Sequence, residues 1–331
     1  MVKILIAGDF APRNRVESLL EEQRFADIFA QVIPYTTESD YSVVNLEAPV
    51  VMEASSMPIE KCGPSLQCSI NAVKAIKYAG FNMVTLANNH FFDYGDSGVR
   101  DTLTACANEG LDVVGGGLNV SEASKTFIKE INGVKFAFIN CCENEFSIAT
   151  DQTAGSNPIN PVRQFNAISE AKAVSDKIIV IVHGGPEGYR YPTPRMKELY
   201  RFYIDSGADA VINHHQHCYS GYEVYKEKPI FYGLGNFCFD SNKPQRTKWN
   251  EGYMVQLMFN ESSVEYILIP YIQGLKMSGV ELMSGEDLSS FESTIKEFND
   301  IIQDDYKLVE KHKEFCEDSK DMYLVTLEPY S

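Results

Sequence analysis

The stretch Val211-Ile-Asn-His-His-Gln-His-Cys218 places three of the chain's six histidines within four positions, directly after a mostly apolar run at 208–212. The run has the length and composition of a short buried strand, so the histidines fall where a strand ends and a loop begins. If the segment stays extended, His215 and His217 turn their imidazoles toward one point and His214 points to the opposite side. Imidazole is the commonest side-chain metal ligand, so the rest of the chain is read for partners.

Four other apolar runs end in similar fashion. Residues 2–7 read as a strand ending at Gly8-Asp9, and 41–45 as one ending at Asn45-Leu-Glu47-Ala-Pro49. Residues 82–86 run into Ala87-Asn-Asn-His90, and 177–182 into His183-Gly-Gly185. Helical spacing separates these strands at 13–22, 69–78, 97–108, 162–174 and from Pro194 to the residues before Gly207. A short strand is read at 112–114. A hairpin is expected from 126–130 and 134–140, joined by the turn-forming pair Asn132-Gly133. Further strands are read at 222–225 and 230–232, and an antiparallel pair at 252–258 and 263–270. From about residue 284 the chain is polar and acidic, with one or two amphipathic helices and a final strand expected at 322–327.

Composition narrows the partners. The 331 residues carry a formal net charge of −17, and that repulsion argues against nucleic acid and anionic membrane surfaces. An anionic substrate stays open, because a bound divalent metal inverts the local field. The first apolar run is too short for a signal segment, and no stretch approaches the length that spans a bilayer. Eight cysteines without CxxC spacing read as reduced, mostly buried thiols. A cytoplasmic protein is expected.

Collected, the strand ends carry Asp9, Glu47, Asn89, His90, His183, His215 and His217. In open α/β sheets, ligands bind outside the carboxyl ends of strands. Each residue alone is an ordinary cap, turn or solvated side chain. Together they read as a site for one or two divalent metal ions. Carboxylate, amide and imidazole donors without thiolate suit Mn²⁺, Fe or Zn²⁺ better than Mg²⁺. There are enough donors for two ions about 3.5–4 Å apart sharing a carboxylate.

These motifs resemble a known family. Gly8-Asp9, Asn45-Leu-Glu47-Ala-Pro49 and Ala87-Asn-Asn-His90-x-x-Asp93-Tyr-Gly95-x-x-Gly98 look like the capsule-synthesis CapA (poly-γ-glutamate) family. Gly115-x-Gly-x-Asn119 with Glu122-Ala123, His183-Gly-Gly-Pro-Glu187, His215-x-His217 and Gly235-Asn-Phe-x-Phe-Asp240 continue the match over residues 2–240. The family belongs to the calcineurin-like metallophosphoesterase superfamily. The resemblance implies an α/β fold, a four-layer α-β-β-α sandwich of two mixed sheets over 1–280. Residues 281–331 would form a C-terminal acidic helical extension packed on the same domain.

Carried over by position, Asp9 would bind a first metal and Glu47 would bridge. Asn89, His183 and His215 would hold a second, with His217 returning to the first. His90 would be the catalytic general acid and Asp93 its orienting partner. The superfamily's first motif is Asp-x-His, whereas Asp9-Phe-Ala11 lacks the second ligand. Gly184 stands where many CapA-type chains have Trp.

Around this set, Glu187 is read as a base, a substrate contact or an anchor for a ligand. Arg190 and Arg195 offer guanidiniums for phosphate or carboxylate, or else belong to a proline-stiffened helix entry. His214 is taken as a supporting or surface residue that contacts substrate at most. Asn236 and Asp240 read as turn residues, Cys218 as a packed thiol and His312 as a surface residue.

Three functions follow. The first is a metal-dependent hydrolase in which activated water attacks a phosphoester. The second is an amide hydrolase acting on a γ-glutamyl linkage of capsule or cell-wall polymer. The third is a non-catalytic polymer-assembly protein that retains the fold. The substrate class is a small molecule or a polyanionic polymer, and an oligomer is compatible with the sequence.

Overall fold

A computed structural model describes residues 1–53, 56–243, 245–261, 263–275 and 278–327, with side chains described as far as residue 320. The first half of the chain winds strands and helices alternately. β1 (Val2–Phe10) is followed by α1 (Arg15–Glu21), α2 (Phe25–Phe29) and α3 (Ile33–Glu38), then β2 (Tyr41–Leu46). α4 (Ile70–Tyr78), β3 (Met83–Thr85), α5 (Gly95–Asn108) and β4 (Asp112–Val114) continue the pattern. β1 to β4 are parallel neighbours in sequence order.

The chain then crosses to a second sheet. The ribbon of β5 (Gly116–Gly117) and β8 (Gly155–Ser156) and the short α6 (Val120–Ala123) flank the hairpin of β6 (Phe127–Ile131) and β7 (Val134–Cys142). Asn132 and Gly133 both have positive φ, 50° and 80°, as a tight hairpin turn requires. α7 (Pro161–Ala171), β9 (Lys177–His183), α8 (Pro194–Ser206), β10 (Ala210–His214), β11 (Tyr222–Tyr225) and β12 (Lys228–Phe231) complete the sheet, in the order β11-β12-β10-β9-β7-β6.

The remaining strands return to the first sheet. β13 (Asn236–Cys238) pairs with β1, and β14 (Glu251–Phe259), β15 (Val264–Gln273) and β16 (Val280–Leu282) extend the order to β16-β15-β14-β1-β2-β3-β4. Two helices close the described chain, α9 (Gly285–Gln303) and α10 (Asp305–Leu327). The strand expected at 322–327 is therefore helix. The segment continues a long α-helix that is already under way, and propagation costs less than a new nucleation.

Strand periodicity of two explains the layers. Ile4, Ile6, Val43 and Met83 of the first sheet meet Phe136, Phe138, Ile179, Ile181 and Ile212 of the second in one buried core. The alternate residues Leu5, Val44 and Val84 pack under α1 to α5, with Val16, Leu20, Ala72, Ile76 and Val99. On the far side, Ile139, Val180, Val182 and Val211 pack under α7 and α8, with Ile168, Tyr200, Tyr203 and Ile204. The order of layers is helix, sheet, sheet, helix. α9 adds Phe291, Ile295 and Phe298 to the core between the sheets. Among the described residues no helix is long and apolar enough to cross a membrane.

Candidate metal centre

The carboxyl ends of β1, β2 and β3 in one sheet face those of β9 and β10 in the other. Side-chain parity then selects which residues reach the gap. Asn45 follows Val43, Thr85 follows Met83, and His183 follows Ile181 and Ile179, each on the face that makes the inter-sheet core. Asp9 has the opposite parity to Ile4 and Ile6. Register breaks in β1 on both sides of Asp9 re-aim it inward.

The expected ligands converge, and all are buried. One group of donor atoms joins Asp9, Glu47 and His217, and a second joins Glu47, His183 and His215, all within 4.8 Å of one another in each group. Asn89 Oδ1 stands 3.1 Å from His183 Nε2, which is also 3.1 Å from His215 Nδ1. Glu47 Oε1 is 3.7 Å from His183 Nε2 and 3.7 Å from His217 Nε2. Both Glu47 oxygens are buried without a hydrogen-bond partner. An orphaned buried carboxylate is costly unless something positive completes it.

Supporting hydrogen bonds fix the donors. Asn45 Nδ2 donates to Asp9 Oδ1 at 2.8 Å, and Thr85 Oγ1 donates to Asn45 Oδ1 at 3.1 Å. His217 Nδ1 bonds Asn236 Oδ1 at 2.9 Å, which leaves Nε2 for the Glu47 side. Asn236 reaches this position because β13 pairs with β1, with Asp9 opposite Asn236.

Electrostatics favour a cation. Burial raises the pKa of Asp9 and pushes that of Glu47 well above the carboxylate range, where the nearby Asp9 charge adds to the effect. Burial and the neighbouring imidazoles hold His183 well below its ordinary value, and burial depresses His215 to about 3. The metal-free cluster is thus driven toward neutral forms. A divalent ion fits this donor set, since it compensates both carboxylates and takes neutral imidazoles as ligands.

Beside the cluster, His90 Nδ1 bonds Asp93 Oδ2 at 2.7 Å, and Asp93 is fully buried. His90 lines a cavity of about 170 Å³ with Asn89, Glu187 and His217. Glu187 is exposed and also groups with His215 and His217.

Two expectations change. His214 does not point away: its Nδ1 lies 3.6 Å from Asp9 Oδ1 and both ring nitrogens are buried without partners. His214 stands opposite His183 in the β9–β10 register, on the inward face. The strand ends there, and positive φ at His215 (91°) and His217 (54°) abolishes the alternation that extended backbone would impose. Arg190 is turned from the cluster: it bonds Glu251 at 3.3 Å and lies over the Tyr219 ring. Arg195 is exposed at the start of α8.

Other residues at the site went unread in the sequence. Glu143 and Glu145 group with His215. They directly follow β7, whose carboxyl end lies beside that of β9, so the strand-end rule applied to β7 finds them. Lys61 Nζ ion-pairs with Asp93 and lies 3.2 Å from His90 Nδ1. It comes from an irregular loop, where no periodicity marks it. Arg13 and Trp249 line the cavity as well.

Comparison with known proteins places this geometry. The family described as "Bacterial capsule synthesis protein PGA_cap" matches residues 3–241. The chain is 35% identical over 243 residues to "Capsule biosynthesis protein CapA" of Bacillus anthracis, covering 71% of this chain and 59% of that protein. It is 37% identical over 237 residues to "PGA biosynthesis protein CapA" of Bacillus subtilis, covering 70% and 62%. The match thus spans about three fifths of those relatives' length. Among solved structures, a "novel phosphatase" from Mycoplasma pneumoniae superposes with a TM-score of 0.50 at 15% identity, over 81% of this chain and 93% of that one. That likeness is one of fold, the metallophosphatase-like pair of mixed sheets flanked by helices. With the second sheet, the parallel strands of the first and every strand-end donor inside the matched residues, the chain belongs to the bacterial capsule synthesis protein PGA_cap family.

Proposed function

We propose that the chain is a metal-dependent hydrolase of capsule or polyglutamate biosynthesis that cleaves a phosphoester. The observation that carries this reading is Glu47, whose two unpartnered oxygens lie among imidazoles from β9 and the loop after β10, next to the His90–Asp93 pair. Asp9, Glu47 and His217 would hold one ion. Glu47, Asn89, His183 and His215 would hold the other, with Mn, Fe or Zn better suited than Mg to the imidazole share. When bound, the ions lower the pKa of water toward ~7 and polarise the phosphoryl group.

The chain's own residues supply the rest. Asp93 accepts from His90 Nδ1 and so leaves Nε2 to protonate the departing oxygen. Asn45 and Asn236 keep Asp9 and His217 in orientation. Glu187 serves as a contact to substrate or as a base at the cavity wall.

The carboxylates Glu143, Glu145 and Glu187 around His215 favour a second reading. Their oxygens can accept hydrogen bonds from an amide N–H, a donor that a phosphodiester lacks, consistent with hydrolysis of a γ-glutamyl amide. Metal-loaded protein assayed on a phosphodiester, a phosphomonoester and γ-glutamyl peptides separates the readings. Turnover of the first two, lost in His90→Ala, supports the phosphoesterase; turnover of the peptides alone supports the amidase. Metal-loaded protein that turns over none of them points to an assembly role.

A further inference from the structure

We propose that Lys61 is a positioning residue for the general acid, a role that rests on the hydrolase reading above. Its side chain is 3% exposed and its ammonium pairs with Asp93, whose side chain is fully buried. Asp93 is the hub of a small network. Oδ2 accepts from His90 Nδ1 at 2.7 Å and from the Leu66 backbone N–H at 2.7 Å, while its backbone oxygen accepts from the Ile59 N–H at 2.9 Å. Lys61, Ile59 and Leu66 all belong to the loop between β2 and α4, so that loop is stitched to the His90 turn through one residue.

The chemistry follows from donor counting. An ammonium has donors only, and so does an imidazole nitrogen that carries its proton. Lys61 Nζ and His90 Nδ1 lie 3.2 Å apart, each against a different oxygen of the Asp93 carboxylate, Lys61 at Oδ1 and His90 at Oδ2. The ammonium pairs with that carboxylate in a buried site, where either charge alone is strongly disfavoured. An ionised Asp93 accepts and does not donate, which holds the proton on Nδ1 and leaves Nε2 as the working nitrogen. Lys61 therefore sets which face of His90 does the chemistry without touching the reacting atoms. Lys61 also lines the cavity beside His90, so a direct substrate contact is the competing role that KM must exclude.

The test compares Lys61→Met and Lys61→Arg with wild type in the full chain loaded with Mn²⁺. The substrates are a nitrophenyl phosphodiester and an alkyl phosphodiester. An alkoxide needs protonation to leave and a nitrophenolate does not. Lys61→Met is expected to lower kcat on the alkyl ester on the order of 10²-fold, to lower it far less on the nitrophenyl ester, and to leave KM unchanged. Lys61→Arg restores most of the loss. NMR of the imidazole nitrogens in metal-free protein, with a thermal melt to verify folding, reads His90 directly: Lys61→Met shifts the tautomer away from protonated Nδ1.

Equal losses on both esters with unchanged nitrogen shifts would overturn the proposal in favour of a purely structural pair. A raised KM with intact kcat would overturn it in favour of a substrate contact. If wild type hydrolyses neither ester, the phosphoesterase reading fails by itself, separately from the positioning of His90. The nitrogen shifts still report in that case whether Lys61 sets the His90 tautomer.

Discussion

His217 Nε2 lies 3.7 Å from Glu47 Oε1, and neither oxygen of that carboxylate has a hydrogen-bond partner. His183 Nε2 stands 3.7 Å from the same oxygen, so imidazoles from β9 and the loop after β10 converge on one carboxylate. That arrangement fits the bridging role proposed for Glu47. Glu47→Gln keeps the shape and removes the charge, and is expected to strip metal from both positions. Asp9→Asn is expected to empty only the position shared with His217. Metal content after dialysis, measured by atomic emission, reads both variants. Wild-type retention in Glu47→Gln refutes the bridge. Metal should also raise the thermal midpoint of wild type, with about 2.7 kcal/mol of stabilisation per site at a hundredfold excess over Kd.

Gly8 lets β13 come close enough to present Asn236 to His217. A Cβ on Gly8 would lie 1.9 Å from the Gly235 carbonyl oxygen, which is backbone and cannot swing aside. Gly8→Ala therefore forces β13 off β1 at the point where Asp9 pairs with Asn236. The expected cost is about 1–3 kcal/mol, as for other overpacked sites. A weakened His217 position should accompany it. Urea unfolding with metal titration checks both, and a variant as stable as wild type with unchanged affinity shows that the strands separate freely.

Most of the site was legible because it sits on strand ends, where an apolar run stops and a polar donor follows. Asp9, Glu47, Asn89, His183, His215 and His217 all carry that mark, and the layered fold follows from the alternation of the same strands. Residues that depend on tertiary geometry were not legible. Lys61 sits on a loop whose path is set by Asp93, and Asn236 looks like any turn asparagine until β13 pairs with β1. His214 was misread because the alternation rule holds only while the backbone is extended, and two left-handed residues follow it. The apolar segment at 322–327 carries no signal that separates a strand from the last turns of a long helix.

The pH dependence of the metal-free protein has a definite sign. Burial depresses His214 and His215 to about 3, and lowers His183 and His217 as well. The unfolded chain binds protons at these groups below about 6.5 while the folded chain does not. Their contribution is fully present above that value and is lost as pH falls toward the folded pKa, by up to about 1.4 kcal/mol per unit for each group. Asp9 and Glu47 are raised and act oppositely: their contribution is present at low pH and lost as pH rises through the folded pKa. Four histidines outweigh two carboxylates, so the urea midpoint in chelator should fall between about pH 7 and pH 5. His214→Gln should flatten the slope. A level profile contradicts burial of neutral imidazoles.

The C-terminal helix supplies a wall of a large cavity beside the His/Asp/Glu cluster. Phe315 of α10 stacks on Tyr189, with ring centroids 4.4 Å apart and planes 30° from parallel. Tyr189 belongs to the loop that follows His183, so this stack ties the helix to the edge of the buried cluster. Phe315, Cys316 and Ser319 then line a cavity of about 1080 Å³ together with Glu143, Glu145, Glu187 and His215. α10 lies beyond residue 241, where the family match ends. The helix is positioned to set how large a substrate reaches the centre and not how fast the bond breaks. Phe315→Ala is expected to change KM several-fold for extended substrates while kcat on a small phosphodiester stays near wild type, with the loss of an aromatic pair costing about 0.5–1.5 kcal/mol. Steady-state kinetics on short and long substrates, alongside a thermal melt, distinguishes this from damage to the fold. Equal losses in kcat on both would mean that α10 supports the metal centre itself.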